Sequence, residues 1–255
     1  MRDKIIIIGI GQLGGVFGRG FLAAGHPVFP VTREMAMADV AEILPDPKLV
    51  LVAVAEDNLN AVLREIPPVW QDRLGLLQNE LLPRDWLAQG IENPTVISAW
   101  FEKKKGTDSK VLLSSPVYGP NADVIKAAME AVDIPAHILD NEFELEYELV
   151  RKNVYIITIN VAGLLTGGTV GGLWENHRDL ARQVASEVID IQAWLTGSEF
   201  DHERLIDGMV EAFEPDPNHK CMGRTAPVRL RRALHYADQA GLAVPKLREI
   251  GSKKL

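Results

Sequence analysis

The chain has 255 residues, 47% of them hydrophobic and 24% charged, enough for a sizeable core and a second domain. A formal charge of −8 argues against a general nucleic-acid or anionic-membrane binder, and a single cysteine, Cys221, forbids an intrachain disulfide and points to a reducing compartment. Gly9 and Gly11 interrupt the apolar run after Lys4, so no signal peptide is read there. No stretch of about 20 apolar residues offers a membrane span, and the expected location is cytoplasmic.

Ile5 to Ile8 is a run of isoleucines, the pattern of a strand buried on both faces. Gly9, Gly11 and Gly14 follow in the G-x-G-x-x-G spacing of a dinucleotide-binding turn. Gly9 permits the tight turn, Gly11 admits a pyrophosphate to the backbone, and Gly14 lets the next helix lie close to the strand. A helix-like segment over 16–24 then turns its free N–H groups, and the positive end of its dipole, toward the phosphates. The expected cofactor contacts on this turn are Gly9, Gly11, Gln12, Leu13 and Gly14. The competing reading is a structural glycine turn in another α/β fold.

Gly25-His26-Pro27 ends that helix before a second strand, Val28 to Val31. The next residues select the nucleotide. An NAD site usually places a carboxylate here for the ribose 2′-OH, whereas Thr32 and Arg33 offer a hydroxyl and a guanidinium fork to a 2′-phosphate. NADP is the expected cofactor, against the reading in which Arg33 is a solvated loop residue and Glu34 takes the ribose.

A short helix over 35–44 and a third buried strand over 48–55 come next, with Ala53 to Asn58 expected beside the cofactor. A helix over 58–66 leads to a fourth strand near 74–78, with Asn79 at its carboxyl end. Further strands are read at 94–101, 111–117 and 134–139, with a charged hairpin or exposed loop at 102–110. Asn121 is placed to cap a helix over 122–131. Alternating strands and helices imply a parallel sheet with right-handed crossovers.

After Asp140 the character changes. Glu142, Glu144, Glu146 and Glu148 crowd the start of a long segment whose part from Val154 to Leu165 is apolar on nearly every face, as in a helix buried in a bundle. The Gly167-Gly168 and Gly171-Gly172 pairs read as a helix–helix connection rather than a second phosphate loop, since no strand precedes them. Helices follow over 177–195, 197–212 and 226–240, the last stopped by Gly241. The basic residues of the last forty positions, Arg229 and Lys253 among them, read as a solvated helix face and a frayed tail, with a few able to bind an anion. The expected fold is α/β: a Rossmann-type parallel-sheet domain over 1–140, then an all-helical domain over 141–255 for substrate or dimerisation, with the site between them. The all-apolar helix is compatible with a homodimer and equally with a monomer's core.

No His-x-x-x-His pair, second cysteine or nucleophile elbow is present, so neither a metal site nor a serine-hydrolase site is expected. With a nicotinamide, the protein must orient a small-molecule carbonyl and protonate the alkoxide formed on it. Lys152 is the candidate donor, near the start of the apolar helix where desolvation lowers an ammonium's pKa. Asn160 lies eight residues on, about 80° around the helix, so both can face one cleft. The competing reading is a snorkelling lysine and a core asparagine bonded to backbone. Asn79 is placed to touch both nicotinamide and substrate, or else is an ordinary turn asparagine. The histidines form no pattern.

These segments resemble the ketopantoate reductase family, NADPH-dependent enzymes that reduce a branched 2-keto acid to its 2-hydroxy acid. GIGQLGGVFGRGFLAAGHPVFPVTR is similar to the family's cofactor fingerprint, and the resemblance makes Arg33 the 2′-phosphate reader. LLQNELL is similar to its Q/H-N-G segment, making Asn79 the cofactor- and substrate-contacting asparagine, with Glu80 where the family usually has glycine. ELVRKNVYIITIN resembles the segment of the catalytic lysine, which makes Lys152 the general acid and Asn160 the asparagine bordering the substrate. HYADQAGLAVP resembles the C-terminal helix and its G-I-x-x-P ending. In NHKCMGRTAPV the family's tandem serines are absent, and its substrate-binding glutamate falls on Thr225 or Ala226. A second basic residue often found after the third strand is replaced by Ala55-Glu56. Two functions are therefore carried forward: an NADPH-dependent reductase of a 2-keto acid, 2-dehydropantoate or a related carbonyl, and a non-catalytic NADP(H)-binding protein that has lost the substrate carboxylate.

Overall fold

The computed structural model describes residues 3–255. It divides into two compact units, Met1–Glu148 and Leu149–Leu255.

The first unit runs β1 (Ile5–Ile8), α1 (Gln12–Ala23), β2 (Val28–Val31), α2 (Met37–Ile43), β3 (Leu49–Val52), α3 (Leu59–Arg64), β4 (Leu74–Leu76), α4 (Pro83–Leu87), β5 (Thr95–Ile97), β6 (Phe101–Glu102), β7 (Lys110–Val111), β8 (Ser115–Tyr118), α5 (Ala122–Glu130) and β9 (Ala136–Ile138). Seven of the strands form one sheet in the order β2-β1-β3-β4-β5-β8-β9. Pairing is parallel from β2 through β5 and again between β8 and β9. The first four strands pair in parallel as their alternation with helices implies, while β8, further along the chain, runs antiparallel to β5. The reason lies in the connection. The expected hairpin forms from β6 and β7, and no crossover helix stands between β5 and β8 to carry the chain back to the sheet's other end.

Each central strand is buried on both faces, as its unbroken apolar run requires. Ile5, Ile7, Leu49 and Leu51 turn one way, against Phe17 and Phe21 of α1 and Ile125, Ala128 and Met129 of α5. The Trp70 indole N–H donates to the Leu44 carbonyl at 3.0 Å, pinning the loop before β3. Helix α1 begins directly at Gln12, four residues before the apolar pattern announces it, because the glycines of its first turn carry no side chains to show a face. Asn121 occupies the N-cap position of α5, but its side chain makes no capping bond, which corrects the capping role expected of it.

Helix α6 (Glu142–Thr166) is 25 residues long, and the division between the units falls within it. Asn141 caps it, its Oδ1 accepting the Glu144 N–H at 3.0 Å. Gly167 and Gly168 end it with φ of +63° and +69°. Beyond come α7 (Val170–Asn176), α8 (Arg178–Thr196), α9 (His202–Glu211), α10 (Ala226–Ala240) and α11 (Pro245–Lys254). Gly171 and Gly172 lie inside α7, where the Thr169 hydroxyl accepts the Gly172 N–H, so the second glycine pair opens a helix instead of linking two. The segment expected to fray is α11, with Leu247 and Ile250 buried. Its N-terminus is held by the Glu187 carboxylate of α8, which accepts the Lys246 and Leu247 N–H groups at 2.7 and 2.8 Å. Among the described residues no helix is long and apolar enough to cross a membrane.

Helices α1 and α5 touch through Gly20, where a built Cβ would collide with the Ala128 carbonyl oxygen. Gly20→Ala is expected to cost about 2 kcal/mol, the scale of overpacking a filled core. Urea unfolding should show a lower midpoint with an unchanged slope. An unchanged midpoint would contradict this packing.

Candidate functional site

A cleft of about 820 Å³ opens at the carboxyl ends of β1, β2 and β3, lined by residues that include Gly9, Gly11, Thr32, Arg33, Ala53 and Asn58. Three glycines shape it. Gly9 turns the chain at φ +94°, where a Cβ would lie 3.0 Å from the Ala53 carbonyl oxygen. A Cβ at Gly14 would collide with the Gly9 carbonyl oxygen, so only glycine lets α1 start this close to β1. Gly11 differs, since a Cβ there would meet nothing within 4 Å. Its backbone is open to a ligand.

The N-terminus of α1 has no side-chain cap and no acidic residue in its first turn. Its first N–H groups, those of Gln12, Leu13 and Gly14, have no intrahelical acceptors and add to the positive end of the dipole. The Gln12 side chain is exposed and Leu13 packs against the core, so what the two turn toward the helix N-terminus is their backbone N–H groups. The arrangement suits a phosphate, which fits the pyrophosphate of a dinucleotide. At the far side Thr32 and Arg33 are exposed and line the cleft, while Glu34 does not; the carboxylate on the wall is Glu65, just past α3.

Gln78 ties the floor together. Its Nε2 donates to the Val52 carbonyl at 2.7 Å and to the Val54 carbonyl at 3.3 Å, and its Oε1 accepts the Leu77 N–H at 3.1 Å. One buried amide thus joins the carboxyl ends of β3 and β4, where the peptide groups have left the sheet ladder. Its signal was a glutamine closing an apolar strand, a polar group that must find partners when buried. Asn79 follows in a half-buried turn. Glu80, where the family's segment carries glycine, stands at φ +59°, the left-handed conformation that glycine adopts without strain.

In the second unit Lys152 is 8% exposed and Asn160 5% exposed. Both lie on α6, about 80° and about 12 Å apart on an ideal helix. Asn160 donates through Nδ2 to the Ile156 carbonyl at 2.8 Å, and its Oδ1 accepts from the Arg229 guanidinium at 3.4 Å. The same guanidinium nitrogen donates to the Thr225 hydroxyl at 3.0 Å. Arg229 is 6% exposed, which corrects its placement on a solvated face. The Asn153 amide of α6 donates to Gln192 of α8 at 2.9 Å. Burial pushes the Cys221 thiol up to about 11, which leaves it protonated and unreactive near neutral pH.

No family model matches the sequence, and no curated protein matches it. The fold is found among solved structures. The 2-dehydropantoate 2-reductase from Methylococcus capsulatus is 15% identical with a TM-score of 0.73, over 98% of this chain and 94% of that one. A probable 2-dehydropantoate 2-reductase from Bacillus subtilis is 17% identical with a TM-score of 0.70, over 98% of each chain. D-mandelate dehydrogenase in ternary complex with NADH and anilino(oxo)acetate is 15% identical with a TM-score of 0.69, over 98% of this chain and 96% of that one. The chain has the ketopantoate reductase fold at low sequence identity.

Gln78→Glu keeps the shape but replaces the donating Nε2 by an oxygen facing two carbonyls. It is expected to cost about 2–3 kcal/mol at neutral pH and to weaken nucleotide binding. Protonation of the new carboxyl restores a donor, and burial against two carbonyls raises its pKa above the usual value, so the difference from the parent protein should shrink as pH falls from about 7 toward about 4. Denaturant titrations at pH 7 and 5 check this, and a variant as stable as the parent at both would remove the clamp from the account.

Proposed function

We propose that this chain is an NADPH-dependent reductase of the ketopantoate reductase type, converting the C2 carbonyl of a 2-keto acid, 2-dehydropantoate or a related compound, into a hydroxyl. The observation that carries this reading is the glycine-lined cleft with Thr32 and Arg33 on its wall. In this reading the α1 N-terminus and the Gly11 backbone hold the pyrophosphate, and Arg33 forks onto the 2′-phosphate with Thr32 donating its hydroxyl. The names of the similar structures, 2-dehydropantoate 2-reductase and D-mandelate dehydrogenase, support a 2-keto acid or 2-hydroxy acid as substrate. The single cysteine supports a cytoplasmic place. Residues 1–140 serve as the nucleotide domain and 141–255 as the substrate domain.

The bound nicotinamide supplies hydride to the carbonyl carbon. Lys152 gives a proton to the resulting alkoxide oxygen and regains one from solvent, so each turnover consumes one proton. Its burial suits this work, since a desolvated ammonium stabilises a developing oxyanion more strongly than one in water. Asn160 borders the substrate, and Asn79, at the carboxyl end of the fourth strand, orients nicotinamide and carbonyl. One observation favours the second reading, a nucleotide-binding protein without catalysis: neither Thr225 nor Ala226 is a carboxylate, and the Thr225 hydroxyl is engaged by Arg229.

Arg33→Ala is expected to weaken NADPH binding at least tenfold, about 1.4 kcal/mol, while leaving NADH binding unchanged. Equal weakening of both in calorimetric titrations would contradict the 2′-phosphate assignment. Lys152→Met should lower kcat by roughly 100-fold or more and leave the NADPH Kd unchanged, because the lysine acts in the transition state. A variant that keeps its turnover would refute the proton-donor role.

A further inference from the structure

We infer that Glu65 reads the base of the bound nucleotide: its carboxylate accepts a hydrogen bond from the exocyclic amine of adenine, so the cleft takes adenine nucleotides and rejects 6-oxopurine ones. The inference deepens the nucleotide-binding part of the reductase reading and rests on it.

Past Thr32 and Arg33 the cleft is walled by Met35 and Met37, the second of which opens α2, and by Ala61 and Val62 of α3. Thioether and small aliphatic groups suit the faces of a flat aromatic ring, since a methionine sulfur is attracted to one and an alanine leaves it room. Such walls hold any purine and distinguish none. Discrimination between bases needs a polar group at the ring's edge, and Glu65 is the charged residue at this end of the cleft.

Among the described residues lining the cleft only Arg33 and Glu65 carry charge, and neither side chain has a hydrogen bond or ion pair among the described residues. Both are exposed. A carboxylate beside bound phosphates is repelled by them, and that repulsion is offset where the ligand turns a donor toward it. Adenosine 2′-phosphate carries both kinds of partner: phosphate oxygens on the ribose, and at the far edge of the base an amine that only donates. Arg33 meets the first and Glu65 the second, each through a charge-assisted bond. In that arrangement the ribose lies with Thr32 and Arg33 at the end of β2. Glu65 stands about 9 Å along α3 from Leu59, which places it for the base rather than for the ribose hydroxyls. Hypoxanthine puts a carbonyl oxygen where adenine has its amine. The two bases are nearly the same size, so the rejection comes from an acceptor facing an acceptor. Asn58, a neutral amide also lining the cleft, can turn to donate or to accept and gives no such preference.

The experiment titrates NADPH, its hypoxanthine analogue and NADH into the parent protein, Glu65→Gln and Glu65→Lys, following nicotinamide fluorescence. The Glu65 side chain holds no other part of the described structure, so the variants should fold as the parent does. The parent should bind NADPH roughly tenfold or more tightly than the hypoxanthine analogue. Glu65→Gln, whose amide serves either base, should bring that ratio below about threefold, and Glu65→Lys, which only donates, should reverse it. The ratio of NADPH to NADH affinity should change less than about threefold in Glu65→Gln. A parent that binds the two base forms equally, or a ratio untouched by Glu65→Gln, would overturn the base assignment and leave the nucleotide cleft standing. So would a Glu65→Gln variant that loses NADH alone, which puts the carboxylate on the ribose hydroxyls. A parent that binds none of the three would remove the nucleotide reading and this inference together.

Discussion

The contact on which the proposed nucleotide site depends is that between the start of α1 and the end of β1. Position 14 must lie against the Gly9 carbonyl, and any side chain there would push the helix away. Close approach aims the helix N-terminus, with no acidic group to quench it, at the cleft between β2 and β3. The rest of the unit holds that geometry in place. Phe17 and Phe21 anchor α1 in the core, Gly20 locks it to α5, and Gln78 fixes the strand ends that form the floor. The phosphate-binding character proposed for the site thus rests on backbone packing, and it needs few charged side chains.

Much of this was readable beforehand because it rests on short-range pattern. An isoleucine run, three glycines at fixed spacing and a stop at Gly25 give strand, turn and helix with their order and direction. The order of strands and helices in the first half, and the helices over 142–166 and 226–240, follow from the same kind of signal. The features that escaped depend on what comes from elsewhere in the chain. The direction of β8 is set by the hairpin before it, not by its own residues. Helix α11 is weakly apolar and capped by Glu187 from another helix, so its own sequence reads as a tail although Pro245 begins a helix. Arg229 looked like surface charge because its acceptors lie four and sixty-nine residues away. Glu80 looked like a break in the pattern, yet the backbone keeps the left-handed turn.

The second unit shows a contrasting economy. Its interior carries Lys152, Asn153, Thr158, Asn160, Gln192 and Arg229, a polar load that lowers stability unless each group is satisfied. Pairs such as Asn153 with Gln192 tie helices together and fix their register.

The central claim is hydride delivery to the carbonyl carbon of a 2-keto acid. The most direct measurement is incubation of the protein with NADPH deuterated at C4 of the nicotinamide, one label position at a time, and a 2-keto acid, followed by mass spectrometry of the product. The account predicts a 2-hydroxy acid carrying deuterium at C2 from one of the two labelled cofactors. Tight NADPH binding with no labelled product from any 2-keto acid would contradict it.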